Sequence, residues 1–556
     1  MKRHLFLILL MYFSTVPIFA QFSGNGSGTS SHPYLITNAA QLDEVRNFLG
    51  DQSVYFKLES DLDLESYISE QYPSTGWLPI GDSSSPFEGY FDGNGKVIKG
   101  LTINRTSMDY VGLFGLVKYG TIKKLLIDRC DIKGKNDVGG LCGHIEETAY
   151  VTECGATGTI SGSFTIGGLI GCMTGSRTSY PAIDNCFFDG GVSGTGGTYC
   201  STGGLVGYNH FGGITKCYAA GTVNSSYHVG GISGTLENTG SPAPGYVTNC
   251  MAANTKLWGS YWTGRIIGQY NNYSYVSGGN KAYSGMEIYF GGSTTPRDNV
   301  YDGCNSTNGT DNGTGVSWDA TMQASTYTSM GWDFSSIWTI DEGTSLPYFV
   351  WSKAPEFYDL TISSYGLSTL YLDYPVAIPY DEYEPHLLGV YYAFEIQNKE
   401  VKLARLNDYI PAKTAVIVQG NSGTYRFTET RSDPGTLKYN NLLKGSSTNI
   451  TADQAKEGAS SDAVIMMLGK GGNGYIGFYQ YTRQVIPANK AYIVYEDAQQ
   501  ADALSLGLDT GGTGIQEIAA DDRADEWYTL QGVKLPSNRV PQRGLYIHHG
   551  KKVFIK

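Results

Sequence analysis

This sequence of 556 residues has little charge, no cluster of basic residues and, past its first twenty residues, no long apolar run. Asp, Glu, Lys and Arg make up 16% of the chain, and the formal net charge is -13. An acidic balance without a basic stripe argues against nucleic acid as a partner. Because no later run reaches the ~18 apolar residues that a bilayer requires, we expect no transmembrane helix.

The usual signatures of catalysis and of metal binding are also missing. No GxSxG, HExxH, Walker or CxxC sequence occurs. The sequence therefore predicts a non-catalytic protein with no metal site and no required cofactor, although calcium would be compatible with its turns. The alternative is a polysaccharide lyase or glycoside hydrolase, which needs carboxylates clustered on one face. The acidic candidates for such a cluster do not share one repeat position: Asp131, Asp137, Glu146, Glu147 and Asp189.

The N-terminal residues predict export. Met1–Arg3 is basic, Leu5–Phe13 is a short apolar run, and Ala20 stands before Gln21. This pattern is typical of a signal peptide over residues 1–20, cleaved after Ala20. Because Gln rather than Cys follows the cut, we do not expect a lipid anchor. The expected location is the cell surface or the extracellular medium.

Glycine (73) and tyrosine (42) are abundant, and much of the glycine lies in one repeated phrase. DVGGLCG at Asp137–Gly143 has five relatives: VGLFG (Val111–Gly115), IGGLIG (Ile166–Gly171), TGGLVG (Thr202–Gly207), VGGISG (Val229–Gly234) and the degenerate TGRIIG (Thr263–Gly268). A second phrase ends in cysteine in four successive units, at Cys154, Cys186, Cys217 and Cys250. A period of about thirty residues indicates a solenoid, in which each unit is one coil.

The apolar residues lie in short clusters separated by Gly, Ser, Thr and Asn, and no stretch keeps a helical period. We therefore predict an all-β protein, whose first domain is a right-handed parallel β-helix. One coil buries about five apolar side chains, at roughly 1.5–3 kcal/mol each, while ordering its ~30 residues costs on the order of 1–2 kcal/mol per residue. A coil is stable only when it is stacked on its neighbours.

Residues 22–352 resemble the GLUG-motif family of bacterial surface proteins. The resemblance rests on the repeated phrases, on YLITNAAQLDEVRNFL (Tyr34–Leu49), which looks like the N-terminal cap, and on FEGYFDGNGKVIKGLTI (Phe87–Ile103). GWDFSSIW (Gly331–Trp338) and LPYFVW (Leu346–Trp351) resemble the closing coils. The resemblance implies the solenoid architecture, a strand and then a helix in the cap, and a place at the bacterial surface; it names no ligand.

We divide the chain into a signal peptide (1–20), the β-helix with its cap (21–352), a β-sandwich (353–508), a linker (509–525) and a C-terminal β-module (526–556). In the sandwich, YIPAKTAVIVQG (Tyr409–Gly420) is echoed by VIPANKAYIVYE (Val485–Glu496), which indicates two related antiparallel arms. The last module resembles a short type IX secretion sorting domain, which implies the outer-membrane secretion machinery as a partner. A terminal β-module without that role is the alternative.

The nine cysteines have three possible roles: buried free thiols, disulfides or metal ligands. In a parallel stack the cysteines of one column point the same way, which favours free thiols. Cys172 and Cys200 are the best candidates for a disulfide, and Cys304 is left over. His144, His210 and His228 lie near the repeat phrases. His144 aligns with Cys172, Tyr208, Thr235 and Gln269, a variable column that predicts a corner or surface position without a functional role.

Six aromatic residues crowd the last glycine-phrase coil and its successor: Trp258, Tyr261, Trp262, Tyr270, Tyr273 and Tyr275. Such rings stack on sugar faces, so they are our predicted ligand-binding residues. The alternative is that they close the end of the core or meet the next domain. The sequence as a whole predicts a non-catalytic adhesin that presents its solenoid to host or polysaccharide ligands. A glycan-cleaving enzyme and a purely structural spacer are the alternatives.

Overall fold

The computed structural model describes residues 22–238, 245–271, 278–291, 293, 296, 308–354, 356–379, 387–406, 409–429, 437–471, 475–496, 503–508, 527–528, 544–548 and 551–555. The predicted signal peptide, the predicted linker and Cys304 lie outside these residues.

The chain is all-β, and its first part is a solenoid of about seven coils. Three sheets run along the stack. The long sheet contains Tyr34–Ile36, Tyr55–Leu58, Leu62–Asp63, Tyr90–Lys99, Thr102–Asn104, Thr121–Lys133, Tyr150–Thr152, Gly155–Gly162, Ala182–Asp184, Phe187–Gly194, Gly213–Thr215, Tyr218–Asn224, Tyr246–Thr248, Met251–Gly259, Lys281–Tyr283, Glu287–Phe290 and Thr314–Val316. The small sheet contains Thr165–Gly167, Ser201–Gly203, His228–Gly230 and Thr263–Gly264. The third sheet contains Phe114–Lys118, Cys142–Glu146, Ile170–Thr174, Val206–His210, Ser233–Glu237, Ile267–Asn271 and Asn308–Asp311.

Equivalent positions of successive coils are paired in parallel register. Val151 pairs with Ile183, Ile183 with Ile214, and Ile214 with Val247. The predicted parallel stacking is therefore confirmed. These apolar residues belong to one continuous buried core that extends from the N-terminal cap to Ile288. The handedness of the winding stays a prediction.

Each coil bends sharply between its short and its long strand in the long sheet. The residue before the cysteine column has a left-handed backbone: φ is +49° at Glu153, +51° at Asn185, +48° at Lys216 and +54° at Asn249. None of these residues is glycine, although a side chain makes this conformation costly. The bend turns the next residue, the cysteine, into the core.

The repeated glycine phrase exists because neighbouring coils touch through their backbones. A Cβ atom on Gly168 would lie 2.2 Å from the carbonyl oxygen of Gly204, and one on Gly204 would lie 2.1 Å from that of Gly231. No side chain fits at these distances. The degenerate copy has Arg265 at this position, and its strand, Thr263–Gly264, is the last one of the small sheet. No further described strand of this sheet packs on Thr263–Gly264, so glycine is not required at the position of Arg265.

The described cysteines are all free and buried. Cys154, Cys186, Cys217 and Cys250 are 0% exposed and form one internal column, as predicted. The backbone N–H of Cys186 lies 3.3 Å from Sγ of Cys217. The disulfide considered between Cys172 and Cys200 is not formed, because each thiol lies in its own coil against other partners. The prediction of buried free thiols is confirmed for these residues.

The N-terminal cap has the predicted strand, Tyr34–Ile36, and then a helix. The helices of the solenoid region are Ala39–Asp43, Glu65–Gln71, Trp318–Thr321 and Ala324–Thr328, with a 3-10 helix at Glu44–Phe48. The residues expected as closing coils have a different place. Trp338–Thr339 pairs antiparallel with Tyr348–Phe349, and this segment packs across the outside of the long strands. We call residues 318–351 the strap.

The strap is held by aromatic contacts that cross many coils. Trp338 is fully buried, and its Nε1 donates to Oδ1 of Asn185 at 3.0 Å. Nε1 of Trp332 donates to the carbonyl oxygen of Asn249 at 2.8 Å. Phe187 and Tyr218, which point outward from the long strands, lie beneath these rings. The expectation of closing coils was wrong because these apolar residues cover a lateral face and not an end of the stack.

The region after the solenoid has one nine-stranded sheet, in the order Leu367–Leu370, Val416–Gly420, Leu387–Gln397, Glu400–Leu406, Ala503–Leu508, Ile476–Gln480, Val464–Lys470, Lys490–Tyr495 and Leu443–Ser446. Three two-stranded ladders accompany it: Phe357–Ile362 with Gly423–Thr428, Val376–Ala377 with Tyr409–Ile410, and Ile450–Thr451 with Val485–Ile486. The short helix Ala452–Ala455 lies in its second half. The strands are paired antiparallel except Glu400–Leu406 with Ala503–Leu508.

The two halves of this sheet repeat the same strand order around Ala503–Leu508. Lys413 and Asn489 occupy equivalent turns, with φ of +54° and +59°. The N–H of Lys413 donates to the carbonyl oxygen of Leu372, which follows the strand Leu367–Leu370. The N–H of Asn489 donates to the carbonyl oxygen of Ser446, the last residue of the strand Leu443–Ser446. Both halves enclose one core, which includes Tyr391 and Phe478. The echo between the two IPA sequences therefore corresponds to a repeated supersecondary unit.

At the C-terminus Trp527–Tyr528, Gly544–His548 and Lys551–Ile555 form a three-stranded antiparallel sheet. A search of the described residues for a helix with the length and hydrophobicity of a membrane span finds none.

Candidate functional site

The short strands before each corner expose two rows of side chains that run along the solenoid. Since residues alternate sides in a strand, the residues two apart point outward together while the one between enters the core. In Tyr150–Thr152, Val151 is 0% exposed and both ends point outward. We call the outer positions of these strands the tyrosine row and the polar row.

The tyrosine row follows one column of register partners: Tyr55, Tyr90, Thr121, Tyr150, Ala182, Gly213 and Tyr246. Tyr90 and Tyr150 are 40% and 37% exposed. Tyr55 and Tyr90 stack with ring centroids 4.3 Å apart and planes 2° apart. Thr121, Ala182 and Gly213 are small, and the ring of Tyr246 lies over Gly213, where a Cβ atom would be 2.7 Å from its Cζ. Seven rungs at ~4.8 Å give a platform about 29 Å long.

The polar row lies two residues further along each strand and contains Lys57, Asp92, Lys123, Thr152, Asp184, Thr215 and Thr248. Nζ of Lys123 is 3.2 Å from Oδ2 of Asp92. Asp184 accepts hydrogen bonds from Oγ1 of Thr215 at 2.6 Å and from Nδ2 of Asn185 at 2.7 Å. The row therefore holds two carboxylates, two ammonium groups and three hydroxyls beside the rings.

Two further tyrosines border the tyrosine row. Tyr119 is 40% exposed at the turn before Thr121, and Tyr180 is 36% exposed in the loop that follows Ile170–Thr174. Partial burial raises the pKa of Tyr246, and the nearby Tyr180 and Asp184 raise it further. Burial likewise raises the pKa of Tyr150. These phenols stay protonated and can donate hydrogen bonds.

The predicted aromatic residues are distributed over consecutive sides of one coil. Trp258 lies on a long strand and stacks on Tyr289, with centroids 5.2 Å apart. Tyr261 is 54% exposed at the next turn and packs on Tyr227. Trp262, the residue after Tyr261, has a left-handed backbone with a φ of +50°. Tyr270 lies on the third sheet and packs against the core. Tyr273 and Tyr275 lie outside the described residues. The role of this set in ligand binding stays a prediction.

The histidine column is partly buried. His144, Cys172, Tyr208, Thr235 and Gln269 are register partners, as the alignment predicted. The sequence predicted a corner or surface position: His144 is only 7% exposed, so it is not a surface residue, but it faces Asp137 across the corner of the coil. Tyr208 and Gln269 are partly exposed. The column faces the residues just before the glycine phrases across the corner of the coil. Polar side chains are tolerated there because they pair with one another.

Two histidines make side-chain hydrogen bonds within and beside this column. Nδ1 of His144 is 2.9 Å from Oδ2 of Asp137, and Nε2 is 2.8 Å from Oγ1 of Thr174. Nδ1 of His228 is 3.0 Å from Oγ1 of Thr235 and 3.3 Å from Oγ of Ser201. Burial lowers the pKa of His228 to about 4. His210, the third predicted histidine, is half-buried, and burial lowers its pKa as well.

Four of the buried thiols are unsuited to nucleophilic catalysis. Burial raises the pKa of Cys142, Cys154, Cys172 and Cys217 well above the usual value. A thiol reacts through its thiolate, so these groups are inert toward electrophiles. The chemistry that the surface offers is instead aromatic stacking with flanking hydrogen bonds.

The tyrosine row had a signal in the sequence. In two of the repeats the cysteine and the four residues before it read YVTEC (Tyr150–Cys154) and YVTNC (Tyr246–Cys250). The tyrosine directly before VTEC and VTNC was therefore visible as a second repeated position. Tyr55 and Tyr90 could be placed in the same row only once the register of the first coils was known.

The fold and its repeats define a parallel β-solenoid repeat protein. Residues 198–224 match the family model of the GLUG motif. This stretch contains the phrase TGGLVG, the corner at Lys216 and a long strand.

Two curated proteins are similar to parts of the chain. The "Putative Gly-rich membrane protein" of Evansella cellulosilytica is 37% identical over 182 residues, which cover 33% of this chain and 17% of that protein. "Halomucin" of Haloquadratum walsbyi is 32% identical over 153 residues, which cover 27% of this chain and 2% of that protein. The chain thus matches less than a fifth of the length of either relative.

A crystal structure of a "putative immunoglobulin A1 protease" from Bacteroides ovatus is 24% identical to this chain, with a TM-score of 0.47. The superposition covers 59% of this chain and 95% of the other.

Proposed function

We propose that this chain is an exported, non-catalytic binding protein of the cell surface, an adhesin that holds a glycan along the tyrosine row of its solenoid. The observation that carries the proposal is the pairing of exposed rings with a fixed polar row. Sugar rings present apolar faces that stack on aromatic side chains, and their hydroxyls need hydrogen-bond partners at the rim. Tyr90 and Tyr150 supply the rings, and Asp92, Lys123 and Asp184 supply the partners.

The position of the strap supports this choice of face. Outward apolar side chains on the long strands, such as Phe187 and Tyr218, are buried beneath the strap. In the coils of these two residues the tyrosine row has Ala182 and Gly213, and the exposed tyrosines of the row, Tyr90 and Tyr150, lie in other coils. Exposed aromatic groups arranged in a row usually mark an interaction surface. A long polysaccharide that runs parallel to the solenoid axis would contact several coils at once.

Similarity to a Gly-rich membrane protein supports a place at the cell surface. Export by the N-terminal signal peptide and passage through a type IX system belong to the same proposal. Removal of residues 526–556 tests the second step: the chain should then accumulate inside the outer membrane, and unchanged release would contradict a sorting role.

Binding is tested with the mature chain on an array of host and bacterial glycans, and the same polysaccharides are assayed for cleavage products. Binding without new reducing or unsaturated ends is the expected result. Cleavage would favour the polysaccharide lyase or glycoside hydrolase, and absence of both activities would favour a spacer.

Substitutions in the two candidate aromatic surfaces test which of them binds the glycan. Tyr150→Ala combined with Tyr90→Ala should weaken binding at least tenfold without a change in the folded fraction. Tyr475→Ala removes a 74% exposed tyrosine from the second region and serves as the matched control. Trp258→Ala with Trp262→Ala tests the aromatic set predicted from the sequence. If only that last pair abolishes binding, the tyrosine row is not the site.

A further inference from the structure

Three side chains with metal-binding atoms meet at the corner between the first full coils. Asp137 precedes the glycine phrase, His144 lies on Cys142–Glu146, and Cys172 lies on the adjacent strand Ile170–Thr174. His144 and Cys172 are register partners. One ligand atom from each of the three residues lies within 4.8 Å of the others. The group is separate from the tyrosine row and from the Cys154 column.

The ligand atoms have the outer hydrogen bonds that orient a metal site. Oγ1 of Thr165 donates to Oδ1 of Asp137, and Thr174 is bonded to Nε2 of His144 at 2.8 Å. Metal-binding histidines nearly always use their second nitrogen in this way. Nδ1, which faces Oδ2 of Asp137 at 2.9 Å, remains for the ion. Two ligands of a tetrahedral zinc ion lie about 3.3 Å apart, so a small movement admits the ion.

A surface depression gives access to this corner. It has a volume of about 320 Å³ and is lined by Asp109, Tyr110, Asn136, Asp137, Phe164 and Thr165. Oδ1 of Asn136 is buried and makes no hydrogen bond. Oδ1 of Asp109 makes no hydrogen bond either, but it is ion-paired with Nζ of Lys135 at 3.6 Å. An unsatisfied buried oxygen is costly, and an ion or its bound water would satisfy that of Asn136.

The charges around this corner are compatible with a cation. Oδ2 of Asp137 lies 2.9 Å from Nδ1 of His144, and Oε1 of Glu146 lies 3.7 Å from Nε2 of that histidine. Glu146 has a partly exposed lysine partner, Lys118, at 3.8 Å. A divalent cation would offset the charge of Asp137 and stabilise the thiolate of Cys172.

We propose that Asp137, His144 and Cys172 bind one zinc-class divalent cation, with a fourth coordination position open to the depression. The mixture of carboxylate oxygen, imidazole nitrogen and thiolate sulfur selects borderline-soft ions such as Zn²⁺ and Co²⁺ and disfavours calcium, which prefers oxygen ligands. The ion connects two successive coils. On binding, Cys172 loses its thiol proton to solvent, so one proton is released for each ion bound at neutral pH.

The test uses the reduced, chelator-treated mature chain and Co²⁺ alone as the probe. Titration should saturate at one ion per chain, with a thiolate-to-cobalt charge-transfer band and displacement by Zn²⁺. Apparent affinity should fall as the pH is lowered below neutrality, because protons compete for the thiolate and for the imidazole. The melting temperature of the solenoid should rise with Zn²⁺ and return after chelation.

Matched variants assign the ligands. Cys172→Ala should abolish the charge-transfer band, while Cys200→Ala, which removes another buried thiol of the solenoid, should retain it. Thr174→Val should lower affinity about 10–100-fold while preserving the ligands. Failure of the folded wild-type chain to bind Co²⁺ overturns the proposal without any variant. Persistence of the band in Cys172→Ala also overturns it. Glycan binding measured in parallel is independent of either result.

Discussion

The solenoid and the nine-stranded sheet are both built from strands of similar length, but they obtain their cores in opposite ways. In the solenoid, each buried side chain lies against the equivalent residue of the next coil, as Ile183 lies against Ile214. In the sheet region, Met466 pairs with Ile493 and with Gln480, residues of unlike type on antiparallel strands. The first region is constrained by repetition, and the second by complementarity between different segments.

The difference has a consequence for glycine. Backbone contact between coils forbids a Cβ atom at positions such as Gly204. In the sheet region the glycines differ: a Cβ atom on Gly469 would lie 3.7 Å from Cδ2 of Tyr479, an ordinary contact, whereas one on Gly477 would lie 2.5 Å from the carbonyl oxygen of Leu504. In the solenoid the close backbone contact recurs at the same position of successive coils, while in the sheet it occurs at individual positions. Four predictions test this contrast, beginning with the largest effect.

Trp338→Ala should destabilise the solenoid by about 3–5 kcal/mol, because it empties a fully buried site between the strap and the long strands. Denaturant unfolding of the mature chain measures the change. Trp338→Phe keeps most of the packing and loses the hydrogen bond to Asn185, so it should cost about 1–2 kcal/mol. Equal losses in the two variants would mean that the strap is held by that bond and not by burial.

Acidification should unfold the solenoid before the sheet region. His228 is buried as the neutral imidazole, with a pKa of about 4, against ~6.5 when unfolded. The unfolded state binds more protons below pH ~6.5, so the stability due to neutral His228 is complete above that pH. It is lost as pH falls toward 4, by about 3 kcal/mol.

Calorimetry from pH 7 to 4 follows the two transitions separately. Residues 356–508 contain one histidine, His386, which lies outside the described residues, so His386→Gln serves as the control for that region. His228→Gln should remove most of the pH dependence of the solenoid between 6.5 and 4 and leave the part due to His210, whereas His32→Gln, at an exposed position, should change nothing. A solenoid that is equally acid-sensitive in both variants would show that carboxylates dominate instead.

Gly204→Ala should destabilise the solenoid by about 1–3 kcal/mol, since its Cβ would overlap the carbonyl oxygen of Gly231. Two controls separate the effect of contact from that of composition. Gly197→Ala, with open space around the Cβ position, and Gly469→Ala in the sheet should each change stability by less than about 1 kcal/mol. Thermal melts suffice, and a mild Gly204→Ala would contradict the role assigned to the repeated phrase.

Glycine should stabilise the left-handed turns of the solenoid and of the sheet region to a similar extent. Lys216 and Lys413 have φ of +48° and +54°, so Lys216→Gly and Lys413→Gly should each stabilise by about 0.5 kcal/mol. Lys256→Gly, inside the strand Met251–Gly259, should instead destabilise by about 0.5–1 kcal/mol. Chemical denaturation resolves these signs. Destabilisation at both turns would mean that the lysine side chains make contacts worth more than the strain.

The repeats predicted much of the solenoid because its contacts join equivalent positions. The cysteine spacing placed Cys154, Cys186, Cys217 and Cys250 in one column, which the structure confirms. The same reasoning failed for Trp338 and Phe349, since the strap packs on residues far away in the chain and follows no period. For His144 the alignment was right, and of the two predicted positions the corner holds while the surface does not, because burial depends on what faces the column across the corner.

The sequence by itself determined the period, the β-structure and the parallel stacking, because a coil that cannot be stable alone must repeat the shape of its neighbours. Tertiary structure alone decided which outward faces stay exposed, which one the strap covers, and which side chains meet across a corner. Those outcomes depend on winding and on contacts between distant segments: the hydroxyl of Tyr218 donates to the carbonyl oxygen of Pro347, 129 residues later. No local pattern records such a contact.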